Sequence, residues 1–191
     1  MKQVLYFIFQ STRHVKYYLL SENNIRGSVK CHQPILVNGE GTITFGKNVQ
    51  VGVIPAKDFF TGYCYIDAKQ KNSAIRFHNN IHIGNNCNIV CNAAGIEICS
   101  FTLIGANVSI SDSDFHHLDP TKRLTNSGAS KKVFIDENVF IGSNVTILKG
   151  VSIGKNSIIA NSSIVTKSFP ENVIIGGNPA KIIRTLEEGK L

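Results

Sequence analysis

Residues 133–165 read VFIDEN VFIGSN VTILKG VSIGKN SIIANS SIV, and an aliphatic side chain falls on every sixth position: Ile135, Ile141, Ile147, Ile153, Ile159 and Val165. Two residues before each stands a second aliphatic or small residue: Val133, Val139, Val145, Val151, Ser157 and Ser163. Gly142 and Gly154 directly follow an aliphatic position, and Asn138, Asn144 and Asn156 recur three residues after it. A period of six fits neither a helix of 3.6 residues per turn nor a long alternating strand, although each i−2, i pair is strand-like. Short strands joined by corners satisfy it. Glycine and asparagine suit corners because they tolerate positive φ at little cost. Three strands per coil stack residues 18 apart, and the aliphatic positions fill the inside of a prism.

The same rhythm runs upstream with lapses. Ile83 and Ile89, then Ile98, Ile104 and Ile110, keep step apart from a three-residue slip around Ala93–Gly95, and Phe45 and Val51 carry it in 42–52. Two stretches have no beat: 53–73, with Pro55, Gly62 and four aromatic residues, and 111–132. Excursions of that length are often functional. Single repeats cannot bury their own core, so the units must stack.

Composition narrows the function classes. With 191 residues, 42% hydrophobic and 17% charged, the chain is long enough for one real core and too apolar to be disordered. The N-terminal apolar run Val4–Phe9 is far short of the roughly 20 residues that cross a bilayer, and Gln10 to Arg13 interrupt a secretory h-region, so a cytoplasmic location is expected. Five cysteines form no CxxC pair; Cys87 and Cys91 alone echo a zinc spacing, and all are read as small buried hydrophobes. The formal charge of +7 is spread in single residues, without a basic run or aromatic platform, which argues against nucleic acid. From Asn138 to Leu186 the only acid is Glu171, against Lys149, Lys155, Lys167, Lys181 and Arg184, a balance suited to an anionic small molecule.

Beyond the hexads, three segments stand in order: Ser111-Asp-Ser-Asp-Phe-His-His-Leu-Asp119, Val165-Thr-Lys167, and Ile175-Gly-Gly-Asn-Pro-Ala-Lys-Ile-Ile-Arg184. In this combination the chain resembles the hexapeptide-repeat acyltransferases, in particular the galactoside/maltose O-acetyltransferases and those of bacterial polysaccharide clusters. The resemblance covers about 42–185. It implies an all-β fold, a left-handed parallel β-helix over 41–185 with insertions near 53–73 and 111–132. Residues 1–40 are expected to form an N-terminal helical capping segment, Lys181–Lys190 a short C-terminal helix after Asn178-Pro179, and 186–191 a tail. Interfacial attachment of 1–20 to a membrane, with Arg13 and Lys16 on its polar face, is the less favoured use of that segment; packing on the coil or a neighbour is preferred.

The resemblance also implies acetyl-CoA as co-substrate, a homotrimer with active sites between subunits, a sugar or glycan acceptor, and no metal. An alcohol is a poor nucleophile and needs a base as it attacks, and histidine is largely neutral near pH 7. The Asp-Phe-His motif matches the family's base at His116, with His117 the alternative. Asp112, Asp114 and Asp119 flank the pair, with Asp114 first choice to fix the tautomer. Matching CoA positions are Ser143 (also an oxyanion donor), Asn161, Thr166, Lys167, Lys181 and Arg184; Asn88, Asn92 and His117 are the acceptor candidates. Phe140 stands where a tryptophan is frequent, and Asn161 where a small residue is.

The expected function is therefore acetyl-CoA-dependent O-acetylation of a sugar hydroxyl in surface-polysaccharide synthesis, by direct transfer. Rivals are N-acetylation of a nucleotide-linked amino sugar and a non-catalytic β-helical scaffold. A three-histidine zinc site of the carbonic anhydrase kind would draw on His78, His82, His116 and His117, but Lys122 stands five residues after His117, where the ligand spacing is not met.

Overall fold

In the computed structural model the described residues are 2–22, 25–124 and 128–186. The side chains at the six-residue beat all point inward: Ile135, Ile141, Ile147, Ile153, Ile159 and Val165 are fully buried, as are their i−2 partners. Each pair forms a strand of two or three residues, too short to stand alone, and the strands stack in parallel register into a coil with three faces.

The first face runs from Thr42–Phe45 through Ala74–Phe77, Ile96–Ile98 and Val133–Ile135 to Ser152–Ile153. The second runs from Gln50–Val51 through His82–Ile83, Leu103–Ile104, Phe140–Ile141 and Ile158–Ile159 to Val173–Gly177. One long strand, Thr42–Val51, turns the corner and serves both, which joins these faces into a single sheet. The third is a six-stranded sheet: Ile35–Asn38, Cys64–Ala68, Asn88–Cys91, Ser109–Ser111, Thr146–Ile147 and Ile164–Val165. Each turn of the chain visits third, first and second face in that order.

Asparagine and glycine divide the corner work differently from the expectation. Asn138, Asn144 and Asn156 have φ of 56–60°, so positive φ is their role. They also stack: Asn138 donates to Asn156, and Asn156 to Asn172. Gly142 and Gly154 do not lie in the positive-φ region; they are present because the next coil comes too close. A Cβ on Gly142 would sit 2.7 Å from the amide nitrogen of Asn161, and one on Gly154 2.4 Å from that of Glu171. The two serines at the i−2 positions are satisfied, Ser157 Oγ donating to Pro170 O and Ser163 Oγ to Ala160 O.

The ends differ from the sequence reading. A helix spans Lys2–Leu19, but strands begin at Ile25, ahead of the residue-41 boundary. The expected C-terminal helix is not formed over its first half. Ala180–Thr185 is a strand, antiparallel to Val173–Gly177 across a turn at Asn178-Pro179. Ile182, Ile183 and Thr185 are β-branched, and a proline turn that returns the chain along a sheet edge suits them better than a helix start. Residues 187–190 of the expected helix, and most of the 186–191 tail, lie outside the described residues.

Candidate active site

The slip around Ala93–Gly95 and the excursion after Ser111 lie at one corner, where the chain passes from third to first face, and a single buried side chain links them. Asp112 accepts the backbone N–H groups of Asn92 at 2.6 Å, Ala93 at 3.1 Å, Ala94 at 2.6 Å and Gly95 at 3.0 Å. Its carboxylate thus supplies the acceptors that an irregular corner lacks. The thiol of Cys91 donates to the same carboxylate and is pushed up to about 12 by burial and that charge.

The excursion is closed at its neck. Ser113 and Ser130 form an antiparallel bridge, Asp114 N–H donates to Ala129 O, and Lys131 N–H to Asp112 O. Beyond the neck, Phe115 has φ 60° and His116 is exposed. A Cβ on Gly128 would fall 2.5 Å from His116 O, so only glycine lets the returning strand pass that close.

The His116 ring meets the carbonyl oxygen of Arg123 at 3.1 Å through Nδ1. A carbonyl can only accept, so Nδ1 carries the proton and a neutral ring has its lone pair on Nε2. Asp114, the sequence-based choice for orienting the ring, is engaged elsewhere: its carboxylate pairs with Lys149 Nζ at 3.2 Å. Asp119 is likewise local, accepting from Thr121. His117 accepts the Asp119 N–H through Nδ1 at 3.0 Å, which leaves its Nε2 as a donor. Asn92 is tied to the neck through Ser130 Oγ at 3.4 Å; Asn88 lies exposed on the third face, 3.5 Å from Ser109 Oγ. Thr166 and Lys167 occupy the histidine's corner two coils further on, both exposed, with Lys167 Nζ over the Phe169 ring.

Ser143 and Asn161 lie at a different corner, between second and third face. Gly84, Gly105 and Gly142 stack there without room for a side chain; a Cβ on Gly105 would meet Ser143 N at 2.5 Å. Ser143 Oγ accepts the Ala106 N–H at 3.1 Å, while no acceptor among the described residues takes the Ser143 N–H. Lys181 and Arg184 are exposed on the final strand, which flanks the second face. Of the five basic residues in 138–186, Lys149 pairs with Asp114 and Lys155 with Glu137, whereas Lys167, Lys181 and Arg184 have no ion pair among the described residues. The candidate residues therefore form two groups on opposite edges of the third face, and one chain does not bring them together.

Arg123, Gly128 and Lys149 are the site's contributors that motif reading did not assign. A backbone carbonyl carries no sequence signal, and the lone glycine in 127–129 was the only cue to a close approach. Burial pushes Cys31 up to about 12 and Cys99 to about 11, so these two thiols are protonated and poor nucleophiles, and Cys64 and Cys87 are shut inside the coil. His82 faces outward on the second face, away from the histidine corner. The described residues with metal-ligand proximity are instead His78, Glu97 and Cys99, where Lys132 already holds Glu97 at 2.6 Å.

Comparison with known proteins gives a consistent picture. Residues 132–167 match the family model described as bacterial transferase hexapeptide (six repeats). A Dictyostelium discoideum protein whose name assigns it provisionally to the acetyltransferases is 41% identical over 112 residues, 56% of this chain and 58% of that relative. The chain thus spans little more than half the length of that relative. AntD, an N-acyltransferase from Bacillus cereus in complex with dTDP and 3-hydroxybutyryl-CoA, superposes with a TM-score of 0.63 at 19% identity, covering 85% of this chain and 79% of its own. A hexapeptide-repeat acetyltransferase of Vibrio cholerae gives 0.55 at 24% identity, with 94% and 82% covered; the same protein with acetyl-CoA bound gives 0.50 at 23%, with 93% and 78% covered. At such identities the structural likeness is one of fold. The resemblance seen in the sequence holds at the level of the repeat and the fold: residues 132–167 match the hexapeptide-repeat model, and the chain is similar in fold to hexapeptide-repeat acetyltransferases.

Proposed function

We propose that the protein is an acetyl-CoA-dependent O-acetyltransferase, acting on a sugar hydroxyl in surface-polysaccharide synthesis, built from a left-handed coil. The observation that carries the reading is His116: exposed on a closed-neck loop, with Nδ1 occupied by Arg123 O and Nε2 left free. In the proposed reaction Nε2 takes the hydroxyl proton as the acceptor oxygen attacks the thioester carbonyl carbon. The tetrahedral oxyanion is met by the free N–H of Ser143. Collapse breaks the C–S bond, the imidazolium returns its proton to the departing sulfur, and the acetyl ester and CoA leave. No covalent acetyl-enzyme is involved.

The separation of the two residue groups supports an assembly. A threefold arrangement about an axis parallel to the coil sets the histidine corner of one chain against the glycine corner of the next. His116 then faces Ser143 of a neighbouring copy, and Lys181 and Arg184 supply charge for the CoA phosphates. Their freedom from ion pairs within the chain favours that use.

The experiment is thiol release from acetyl-CoA against sugars, amino sugars and nucleotide sugars, with His116→Ala alongside. Release that depends on a neutral sugar and is lost in the variant supports the reading. Release confined to amino sugars and kept in the variant replaces it with N-acetylation, since a neutral amine needs no strong base. Failure to bind CoA at all favours the scaffold.

A further inference from the structure

The N-terminal helix is amphipathic with its faces reversed. The side that meets the rest of the chain is polar and aromatic: Tyr6, Gln10, Arg13 and Tyr17. Arg13 donates to Phe59 O at 2.8 Å and also to Gly62 O, and Gln10 to His32 O. At the helix end Ser21 Oγ donates to Tyr17 O and accepts the Val37 N–H. These bonds fix the helix about its own axis, so the opposite face cannot roll inward.

That opposite face is hydrocarbon. At 100° per residue, Val4, Ile8, Val15 and Leu19 fall in one stripe, and they are 61, 50, 56 and 74% exposed. Phe7 and Phe9 widen it, at 69 and 61%. Val15 also lines an apolar cleft of about 410 Å³ between the helix and the first coil, so the apolar surface continues past the helix edge. An exposed stripe of this size marks an interaction surface.

Charge identifies the occupant. No Asp or Glu precedes Glu22, while Lys2, Arg13 and Lys16 lie in the helix. The first fifty residues, at the same end of the coil, hold six Lys and Arg against two Glu, a formal +4 of the chain's +7. Pairing this end with its own copy would bring like charge together, whereas an anionic lipid surface supplies both a medium for the stripe and a counter-charge for its flank. We propose that the helix docks the protein on anionic bilayers, lying in the interface plane with Val4, Ile8, Val15 and Leu19 in the acyl boundary and Lys16 at headgroup level. It does not span: no helix among the described residues is long and apolar enough to cross a membrane. The helix packs on the coil through its polar and aromatic side, as the sequence led one to expect, and the proposed docking uses the opposite side.

The test is flotation of the full chain with phosphatidylcholine vesicles, with and without a third of phosphatidylglycerol. The wild type should float with the anionic vesicles and much less with the neutral ones. Val4→Asp with Ile8→Asp should stay at the bottom; both side chains are at least half exposed and neither lines the cleft, and an unchanged circular dichroism spectrum checks the fold. Lys16→Glu, a milder surface change, should weaken anionic binding by about fivefold or more and leave neutral binding alone. Absence of wild-type flotation, or equal flotation of the folded double variant, overturns the proposal. A double variant that sediments as a smaller oligomer also overturns it, because the stripe would then be a seam between copies.

Discussion

The Nδ1 atom of His116 lies 3.1 Å from the carbonyl oxygen of Arg123, so the ring is oriented by main chain and not by a carboxylate. This assigns the tautomer and makes the ring's orientation insensitive to the side chain at 123. His116→Ala should lower acetyl transfer by about 10²- to 10⁴-fold. CoA affinity, followed by calorimetry, should be little changed. Arg123→Ala keeps the carbonyl and should leave the rate near wild type. A large loss there would show that the guanidinium, not the backbone, does the work.

Asp112 gives a stability prediction that is independent of catalysis. Its carboxylate is fully buried and accepts four backbone N–H groups of the 92–95 corner. Asp112→Ala strands those donors without water, at a cost of roughly 3–4 kcal/mol. Asp114→Ala removes only a partly exposed pair with Lys149 and should cost about 1 kcal/mol or less. Urea unfolding of the two variants should separate them clearly. Equal losses would mean that the corner is held by something other than the buried carboxylate.

The hexads were legible because each buries the side chain on the beat and the one two residues before it, and burial is what periodicity reports. Cys64, Ile66 and Ala68 were harder. They form a strand of the third face inside the stretch 53–73, yet a small thiol and an alanine carry too weak an apolar signal to extend the pattern. The irregular segment is correspondingly shorter than it reads. Gly142 and Gly154 were placed correctly and explained wrongly: close approach between coils, a tertiary property, holds them, not φ. At the candidate site, a motif singles out His116. Its acceptor was not legible, because every residue has a carbonyl and only the loop's path selects Arg123.

The glycine corner should be intolerant of any side chain. A Cβ at position 142 would sit 2.7 Å from Asn161 N and 2.9 Å from Ile159 O, both backbone atoms that cannot swing aside. Gly142→Val must push its own corner, with Ser143, away from the next coil, which carries Asn161. The expected result is a lower melting temperature together with weaker CoA binding. Lys181→Glu should weaken CoA binding by about tenfold with no change in melting temperature, since its partner would be a ligand phosphate. That loss should shrink as salt is raised. Unchanged affinity in Lys181→Glu would remove the final strand from the CoA site.

On the first face Glu97 bridges Lys132 at 2.6 Å and His78 at 3.0 Å. The hydrogen bond from Lys132, chiefly, and that of His78 hold the Glu97 carboxyl below its ordinary value of 4.5, against the opposing pull of burial. A carboxyl depressed in the folded state contributes stability that is complete above its unfolded pKa, here near 4.5, and is lost as the pH falls through the folded value. Glu97→Gln should therefore be less stable than wild type at neutral pH, by about 0.5–1 kcal/mol because the pair is partly exposed and solvent screens it. The gap should stay constant as pH falls to 4.5 and then close, so that the two proteins unfold at the same urea concentration once the wild-type carboxyl is protonated. A gap that persists into that acid range would assign the difference to packing of the side chain and not to its charge.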